Sequence, residues 1–342
     1  MLKNKRVWVG LLVTLLFLVL FVRQVEFPKV EQALQQANFL LLLLAIPIYF
    51  AGVWFRVLRW KQLMAHLRLF RAKELFPYVV IGYMANDLLP MRVGELVRSY
   101  ILGERYRLGK ASILGSIALE RLSDGLTLIA FMAAIALFVP LSGWLDQLLR
   151  FMALLFFGAL AVLLLVLFNR TRSLRLLGQI AHGAPAGLSG RFLHLAEGLL
   201  DGMSALNRPR RVGAVAIYGM LAWACEAGVF YVVGTALEVQ SPIFVFFLAM
   251  SVANLATTLP SSQAGIGPFE YFCAQTFVMF GTEASLAATY AVVLHIVLIL
   301  PVTLLGFVYL SIENLSLAQI VQRSGALTGT SIPALGEIPA KD

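Results

Sequence analysis

Six stretches of this chain, residues 7–22, 40–58, 111–139, 151–168, 212–237 and 287–312, are predominantly apolar for about the ~20 residues that a helix needs to cross a bilayer. That recurrence constrains the fold more than any other feature. A segment in hydrocarbon must satisfy its backbone internally, which leaves helices or a closed barrel, and uninterrupted runs of this length fit only helices. With 60% hydrophobic residues, 13% charged residues and a mean hydropathy of +0.85, the chain is expected to be an all-α polytopic membrane protein rather than a soluble domain. The net charge of +9 does not point to nucleic acid, because Lys and Arg cluster between apolar runs, as they do in cytoplasmic loops. Cys225 and Cys273 stand in apolar surroundings without a partner at metal-ligand spacing, so they read as packing residues.

Charge distribution orients the spans. Lys3, Lys5 and Arg6 precede the first run, and Arg23-Gln24-Val25-Glu26 follows it where a cleavage site would carry small residues, so it reads as an uncleaved first span entering from the cytoplasm. Residues 27–39 read as a short interfacial helix outside. Arg56, Arg59, Lys61, Arg68, Arg71 and Lys73 close the second span and mark its end as cytoplasmic. Trp144 reads as an anchor in a short outer loop, 141–150. Residues 169–211 form a basic cytoplasmic segment with a turn at 183–187 and an amphipathic helix at the inner surface over 190–206. No Lys or Arg occurs between Arg211 and Arg323, so the loops there are expected outside or buried. Residues 313–342 form a cytoplasmic tail, disordered over 324–342. Both termini are thus placed in the cytoplasm, and the protein in the inner (plasma) membrane.

Two segments break the pattern of simple crossings. Residues 75–106 and 242–280 each consist of two apolar pieces, too short to span alone, around a polar interruption. The first interruption is Asn86-Asp87-Leu88-Leu89-Pro90-Met91-Arg92-Val93-Gly94, the second Pro260-Ser261-Ser262-Gln263-Ala264-Gly265-Ile266-Gly267-Pro268. Each reads as a broken re-entrant hairpin, because irregular backbone at membrane depth is tolerated only where protein or water shields it. Two spans, a hairpin and a further span in each half, 1–139 and 151–312, starting on opposite sides, make an inverted repeat of the kind from which many transporters are built.

Polar residues concentrate at these breaks. Pro90 removes a backbone donor and Gly94 permits a tight turn, freeing backbone groups for a ligand. Glu95 and Arg98 share a face of the returning helix, and Arg92 lies one turn before; with the helix N-terminus they suit a phosphate group. The competing reading has Asp87, Arg92, Glu95 and Arg98 neutralising one another to hold the hairpin together. Glu120 and Asp124 share a face of the third span, with Arg121 able to pair with Asp124. They are either counter-charges to the hairpin arginines, a protonatable relay, or a structural ion-pair network. Asn254, Ser261, Ser262 and Glu270 around the second break, with Pro260, Gly265 and Gly267 shaping it, could take the hydroxyls of a headgroup, or Glu270 could simply cap or bridge. Glu226 and His295, each alone in an apolar span, read as satisfied core groups. No Walker loop, His-rich metal spacing or nucleophile elbow occurs, so no catalytic residue, metal or cofactor is assigned.

Three motifs in order carry a family resemblance: Asn86 to Glu95 with Arg98; Ala118-Leu119-Glu120-Arg121-Leu122-Ser123-Asp124-Gly125; and Leu259-Pro260 with Gly265-Ile266-Gly267 and Glu270. The sequence resembles the lysyl-phosphatidylglycerol synthase transmembrane family, the flippase-like membrane module of the bacterial multiple peptide resistance factor, also found as stand-alone proteins. Gln263-Ala264-Gly265 departs from the Pro-Gly-Gly run common in that family. Nothing after Ile312 matches the synthase's aminoacyl-transferase domain, so lysine transfer is not expected. The resemblance implies a lipid flippase for an anionic phospholipid or polyprenyl-linked lipid, with the bilayer, its lipid substrate and enzymes of a lipid or glycan pathway as partners. The alternatives are a membrane-embedded lipid or glycosyl transferase, with Asp87, Glu95 or Glu120 as general base, and an accessory subunit of such a pathway.

Overall fold

The computed structural model describes residues 5–22, 27–89, 93–181, 188–203, 208–258 and 263–313. It is helical throughout those residues, in the order α1 Lys5–Val22, α2 Phe27–Gln36, α3 Phe39–Met64, α4 Ala72–Leu88, α5 Gly94–Tyr106, α6 Lys110–Ala136, α7 Trp144–Phe168, α8 Arg170–Ala181, α9 Leu188–Gly202, α10 Pro209–Ala236, α11 Ile243–Ala256, α12 Pro268–Met279 and α13 Ala284–Ile312. Each of the six expected spans is a helix: α1, α3, α6, α7, α10 and α13. Among the described residues α3, α7, α10 and α13 are long and apolar enough to cross a membrane by length and composition. Helix α6 has 27 residues, about 40 Å at ~1.5 Å per residue, and carries Glu120, Arg121 and Asp124 in its middle.

Both interrupted segments are helical hairpins, α4/α5 and α11/α12. The first turns between Leu89 and Val93, and its arms approach closely: the Gly94 N–H donates to Asn86 Oδ1 at 2.7 Å. A Cβ on Gly94 would lie 2.0 Å from the Gly82 carbonyl oxygen, so no larger residue fits that crossing. In the second, Ala264, Gly265 and Gly267 have φ of 55°, 77° and 96°, a left-handed path that ends where Glu270 accepts the Gly267 N–H at 2.7 Å and caps α12. A short 3-10 turn, Gln263–Gly265, touches α4, so the second break packs on the first arm of the other hairpin. Pro90 and Arg92 of the first break, Pro260, Ser261 and Ser262 of the second, the 183–187 turn and the 314–342 tail lie outside the described residues.

Helices α3 and α10 form the most extensive helix pair, with α6, α11 and α13 around them. The interior is the expected mix of Val, Leu, Ile, Phe and Ala, with Trp60, Arg59 and Arg98 among its largest fully buried side chains. In the segment after α7 the expected amphipathic helix is present as α9, Leu188–Gly202. It packs on the start of α6, with Gly198 against Ala111 and Gly202 against Ser112 and Gly115. Small residues spaced four apart on both helices let the backbones touch. Helix α7 is peripheral: only Leu145 and Met152 are buried, while Phe151, Leu154, Phe157, Val162, Leu165 and Phe168 face outward.

Candidate functional site

Two arginines organise the interior. Arg59, near the end of α3, is fully buried and donates to Asp124 Oδ1 at 2.6 Å and to Glu120 Oε1 at 3.4 Å on α6. Arg98, from α5, is paired with the other oxygen of Glu120. Its guanidinium carbon also lies 3.9 Å from the centroid of the Trp60 ring, an attractive cation–π placement. The Trp60 indole in turn donates to Ser116 at 3.0 Å.

Further pairs extend this centre. Glu95 and Arg98 share a face of α5, as their spacing required, but they do not pair with each other. Arg121 Nε lies 3.2 Å from a Glu95 carboxylate oxygen as an ion pair, so α5 and α6 exchange crossed ion pairs, Glu95–Arg121 and Arg98–Glu120. Arg121 also lies 3.6 Å from Asp124 on its own helix. On the far side Arg56 of α3 pairs with Glu226 of α10 and stacks over Trp223 at 4.6 Å. Asn254 of α11 donates to Glu226 at 2.8 Å and to its own turn at Met250 at 2.9 Å. The Trp223 indole donates to Asp124 at 2.9 Å and joins the two groups. Four cations, Arg56, Arg59, Arg98 and Arg121, meet four carboxylates, Glu95, Glu120, Asp124 and Glu226. The formal charge of the network is therefore zero. Charges so deeply buried persist only when matched in this way.

One side of the network opens into a cleft of about 630 Å³ between α6, α7, α10 and α11. Its polar lining is Glu95, Arg121, Asp124, Trp223, Asn254, Thr257 and Thr258. Its apolar lining runs along α6 from Leu114 to Leu128 and along α7 at Leu155, Phe156 and Ala159. Gly125 makes the α7 wall possible: a Cβ there would lie 1.9 Å from Phe156 Cε1. Because α7 is otherwise exposed on its outer side, this wall is a single helix thick, with the cleft on one face and outward-facing Leu and Phe residues on the other.

A crossed-hairpin interior with buried ion pairs on α5 and α6 is what the three motifs encode, and a family model decides the matter: that of the lysylphosphatidylglycerol synthase TM region matches residues 7–306. The chain belongs to this family. Among curated proteins it is similar to the glycosyltransferase AglD of Haloferax volcanii, 26% identical over 347 residues, which cover 92% of this chain and 55% of that protein. It is also similar to a UPF0104 membrane protein of Methanothermobacter thermautotrophicus, 28% identical over 301 residues, covering 83% of this chain and 86% of that one. The chain thus spans about half the length of the glycosyltransferase and most of the length of the UPF0104 protein.

In this member of the synthase TM-region family, the sites singled out in sequence divide into three groups. Glu95, Arg98, Glu120, Arg121, Asp124 and Asn254 converge on the network, and all of these except Arg98 and Glu120 line the cleft. Asn86 braces the first break, with Nδ2 3.4 Å from Glu95. Asp87 and Glu270 lie apart from the network. Asp87 accepts from Thr303 of α13 at 2.9 Å, and Glu270 lies 2.5 Å from His295 Nδ1, whose ring stacks on Phe269 at 4.2 Å. Glu226 and His295, read as satisfied core groups, both have partners.

Arg56 and Arg59 are the principal correction. They read as part of a cytoplasmic basic block, yet α3 continues to Met64 and carries both inward. The signal that separates them from Lys61 and Arg68 is position: Val53, Arg56, Val57, Trp60, Leu63 and Met64 repeat at helical spacing, and all are buried.

Proposed function

We propose that the chain moves an anionic lipid, a phospholipid or a polyprenyl-linked lipid, between the leaflets of the membrane. The headgroup enters the cleft and the acyl portion stays beside α7. The observation that carries this reading is the composition of the cleft, whose lining joins charged and hydroxyl groups to apolar residues of α6 and α7. That mixed lining suits an amphiphile. Arg121 is the phosphate ligand, because it lines the cleft and its side chain is 35% exposed, whereas Arg98 is 2% exposed and held between Glu120 and Trp60. Asn254, Thr257 and Thr258 face the same space and suit hydroxyls of a glycerol or sugar. The two hairpins, one in each half of an inverted repeat, bring these groups together near the middle of the bundle, and enzymes of a lipid or glycan pathway would supply or use the lipid.

The name of the Haloferax relative favours a second reading, a transferase acting on a lipid-linked sugar. Such an enzyme needs a carboxylate able to take a proton. Glu95 and Asp124, the carboxylates of the cleft, are each held by Arg121, and Asp124 by Arg59 as well, which favours transport.

Purified protein in vesicles containing phosphatidylglycerol with a fluorophore on one acyl chain tests the proposal, with a membrane-impermeant quencher reporting the outer leaflet. Wild type is expected to expose inner-leaflet lipid to the quencher. Gly125→Leu, which drives Phe156 into the cleft, and Arg121→Gln are each expected to slow it by about tenfold, the effect of losing ~1.4 kcal/mol at the rate-limiting step. Wild-type rates equal to those of protein-free vesicles, or both variants equal to wild type, would sink the assignment.

A further inference from the structure

Beyond the neutral arginine network lies a second buried polar cluster with a different chemistry. Glu270, at the start of α12, and His295, on α13, are in contact at 2.5 Å, and both are more than nine-tenths buried. Asp87, at the end of α4, is anchored to α13 through Thr303 and is close enough to His295 for their charges to interact. One carboxylate thus contacts the imidazole and a second lies within electrostatic reach of it; among the described residues neither is paired with a Lys or Arg, and between Arg211 and Arg323 the sequence offers none. The other titratable groups facing the cluster are Cys273 of α12, towards Glu270, and Tyr49 of α3, towards Asp87. A thiol and a phenol keep their protons across the range in which imidazole titrates. Glu226 of α10 is committed to Arg56 in the other network.

The contrast with the arginine network is one of kind. A guanidinium stays charged at every physiological pH, so carboxylates bound to it are fixed as anions. An imidazole with one carboxylate in contact and a second within electrostatic reach has no such fixed charge, and uptake of one proton brings the cluster closer to neutrality in a site where net charge is costly. The position is also consequential. Glu270 caps α12 through the Gly267 N–H, just after the left-handed residues of the second break. Its hold on His295 joins that break to α13, while Thr303 joins α13 to the first break.

We propose that Glu270 and His295, with Asp87 within electrostatic reach, form a proton-binding site that couples protons to the lipid movement proposed above, on which this inference rests. Uptake adds one proton to the imidazole–carboxylate group and release returns it to water; no other bond forms or breaks.

Two measurements on the full-length protein test it. The first is lipid movement in the vesicle assay, with equal pH on both sides, at pH values from about 5 to about 8, the range of imidazole titration. Wild type is expected to change by roughly tenfold across that range, and His295→Gln and Glu270→Gln to flatten the profile, the latter keeping an oxygen to cap α12. The second is nuclear magnetic resonance of histidine-labelled protein in micelles, with the His295 signal assigned by its loss in His295→Gln. That signal is expected to respond to pH in wild type and to respond differently in Asp87→Asn and Glu270→Gln. A His295 signal that does not titrate overturns the proton site whether or not lipid moves. A pH profile that is flat in wild type, or unchanged in His295→Gln, overturns the coupling. A titrating His295 in a protein that moves no lipid overturns the coupling together with the transport reading, while leaving proton binding itself supported.

Discussion

Replacing Arg59 by Met tests whether the buried network is a structural necessity of the bundle. Arg59 is fully buried and holds Asp124 at 2.6 Å and Glu120 at 3.4 Å. Removing it leaves four carboxylates with three cations in an interior that tolerates no excess charge. Removing one partner of a buried pair costs about 3–5 kcal/mol. Here the lower end applies, because Glu120 keeps Arg98, and Asp124 keeps the Trp223 indole at 2.9 Å and Arg121 at 3.6 Å. The expected loss is therefore about 3 kcal/mol. Asp124→Asn in the same chain restores the balance of charge and preserves an acceptor for Trp223. The double variant is thus expected to be more stable than the sum of the single effects by about 2 kcal/mol, within the range for residues in one network. Reversible unfolding in mixed micelles, followed by circular dichroism, reads all four corners of the cycle. A loss below about 1 kcal/mol for Arg59→Met, or additivity in the double variant, would refute the claim that Arg59 holds α3 to α6 by charge.

Three other outcomes follow from particular contacts. In Gly202→Val a Cβ would sit 2.1 Å from the Ser112 carbonyl oxygen; because backbone cannot yield there, α9 should lift from α6. A cysteine introduced at Ser112 should then react with a water-soluble maleimide at least ~10-fold faster than in the parent, through an opening made easier by roughly 1–3 kcal/mol of overpacking; equal rates would show that the crossing is not close. His66, beyond the end of α3, has its Nδ1 2.7 Å from the Leu63 carbonyl and a buried Nε2 without a partner among the described residues, and burial holds it below its ordinary value of 6.5. The unfolded chain then takes its proton first, so this contribution to stability is complete above pH 6.5 and is lost as the pH falls through the lower, folded value. For a half-buried group the loss is under about 1 kcal/mol, and unfolding midpoints of His66→Gln should lack that acid-side decline. Finally, a Cβ at Gly52 would lie 3.2 Å from Cys225 Cβ, so Gly52→Cys should form a disulfide on mild oxidation after a small adjustment. The cross-linked protein should move lipid at the wild-type rate, since α3 and α10 belong to one rigid unit; loss of movement on oxidation, reversed by reductant, would contradict that.

How far the sequence carries this picture depends on the kind of signal. Runs of apolar residues are local, and each of the six appears as a helix, although α3 runs on past residue 58 to Met64 and α7 begins at Trp144, inside the stretch read as an outer loop. The broken hairpins were legible for the same reason, because Pro, Gly and polar residues in a short apolar segment leave few alternatives to a turn within the bundle. Charge pairing was only partly legible. Glu120 could be matched to the hairpin arginines because helical spacing put it on a face with Asp124. The actual partner of Glu95, however, is Arg121 on another helix, a relation that no spacing within one segment can express. Arg56 and Arg59 were misassigned because the positive-inside rule treats every Arg near the end of an apolar run alike, and only the continuation of the buried stripe to Met64 distinguishes them. The cleft had no sequence signature. It depends on how closely α7 packs on α6, including Phe156 against Gly125, a relation between helices that neither segment alone encodes.

The two polar clusters divide the mechanical roles of the bundle. The arginine network links α3, α5, α6 and α10 through buried ion pairs, and α11 through Asn254, so a motion that parted these helices would expose several charges at once. Each would cost several kcal/mol in the interior. Lipid movement of the kind proposed therefore leaves this set intact and finds its freedom elsewhere. The seam between α12 and α13 is held by apolar and aromatic packing and, among its described polar contacts, by the Glu270–His295 pair, where a single proton would change the balance of charge. The cleft and this seam also share an element: α11 lines the cleft at Asn254, Leu255, Thr257 and Thr258 and leads through the second break into α12, which Glu270 caps. A change in the charge of the pair thus has a route to the cleft along one connection of the chain, which holds the left-handed Ala264, Gly265 and Gly267.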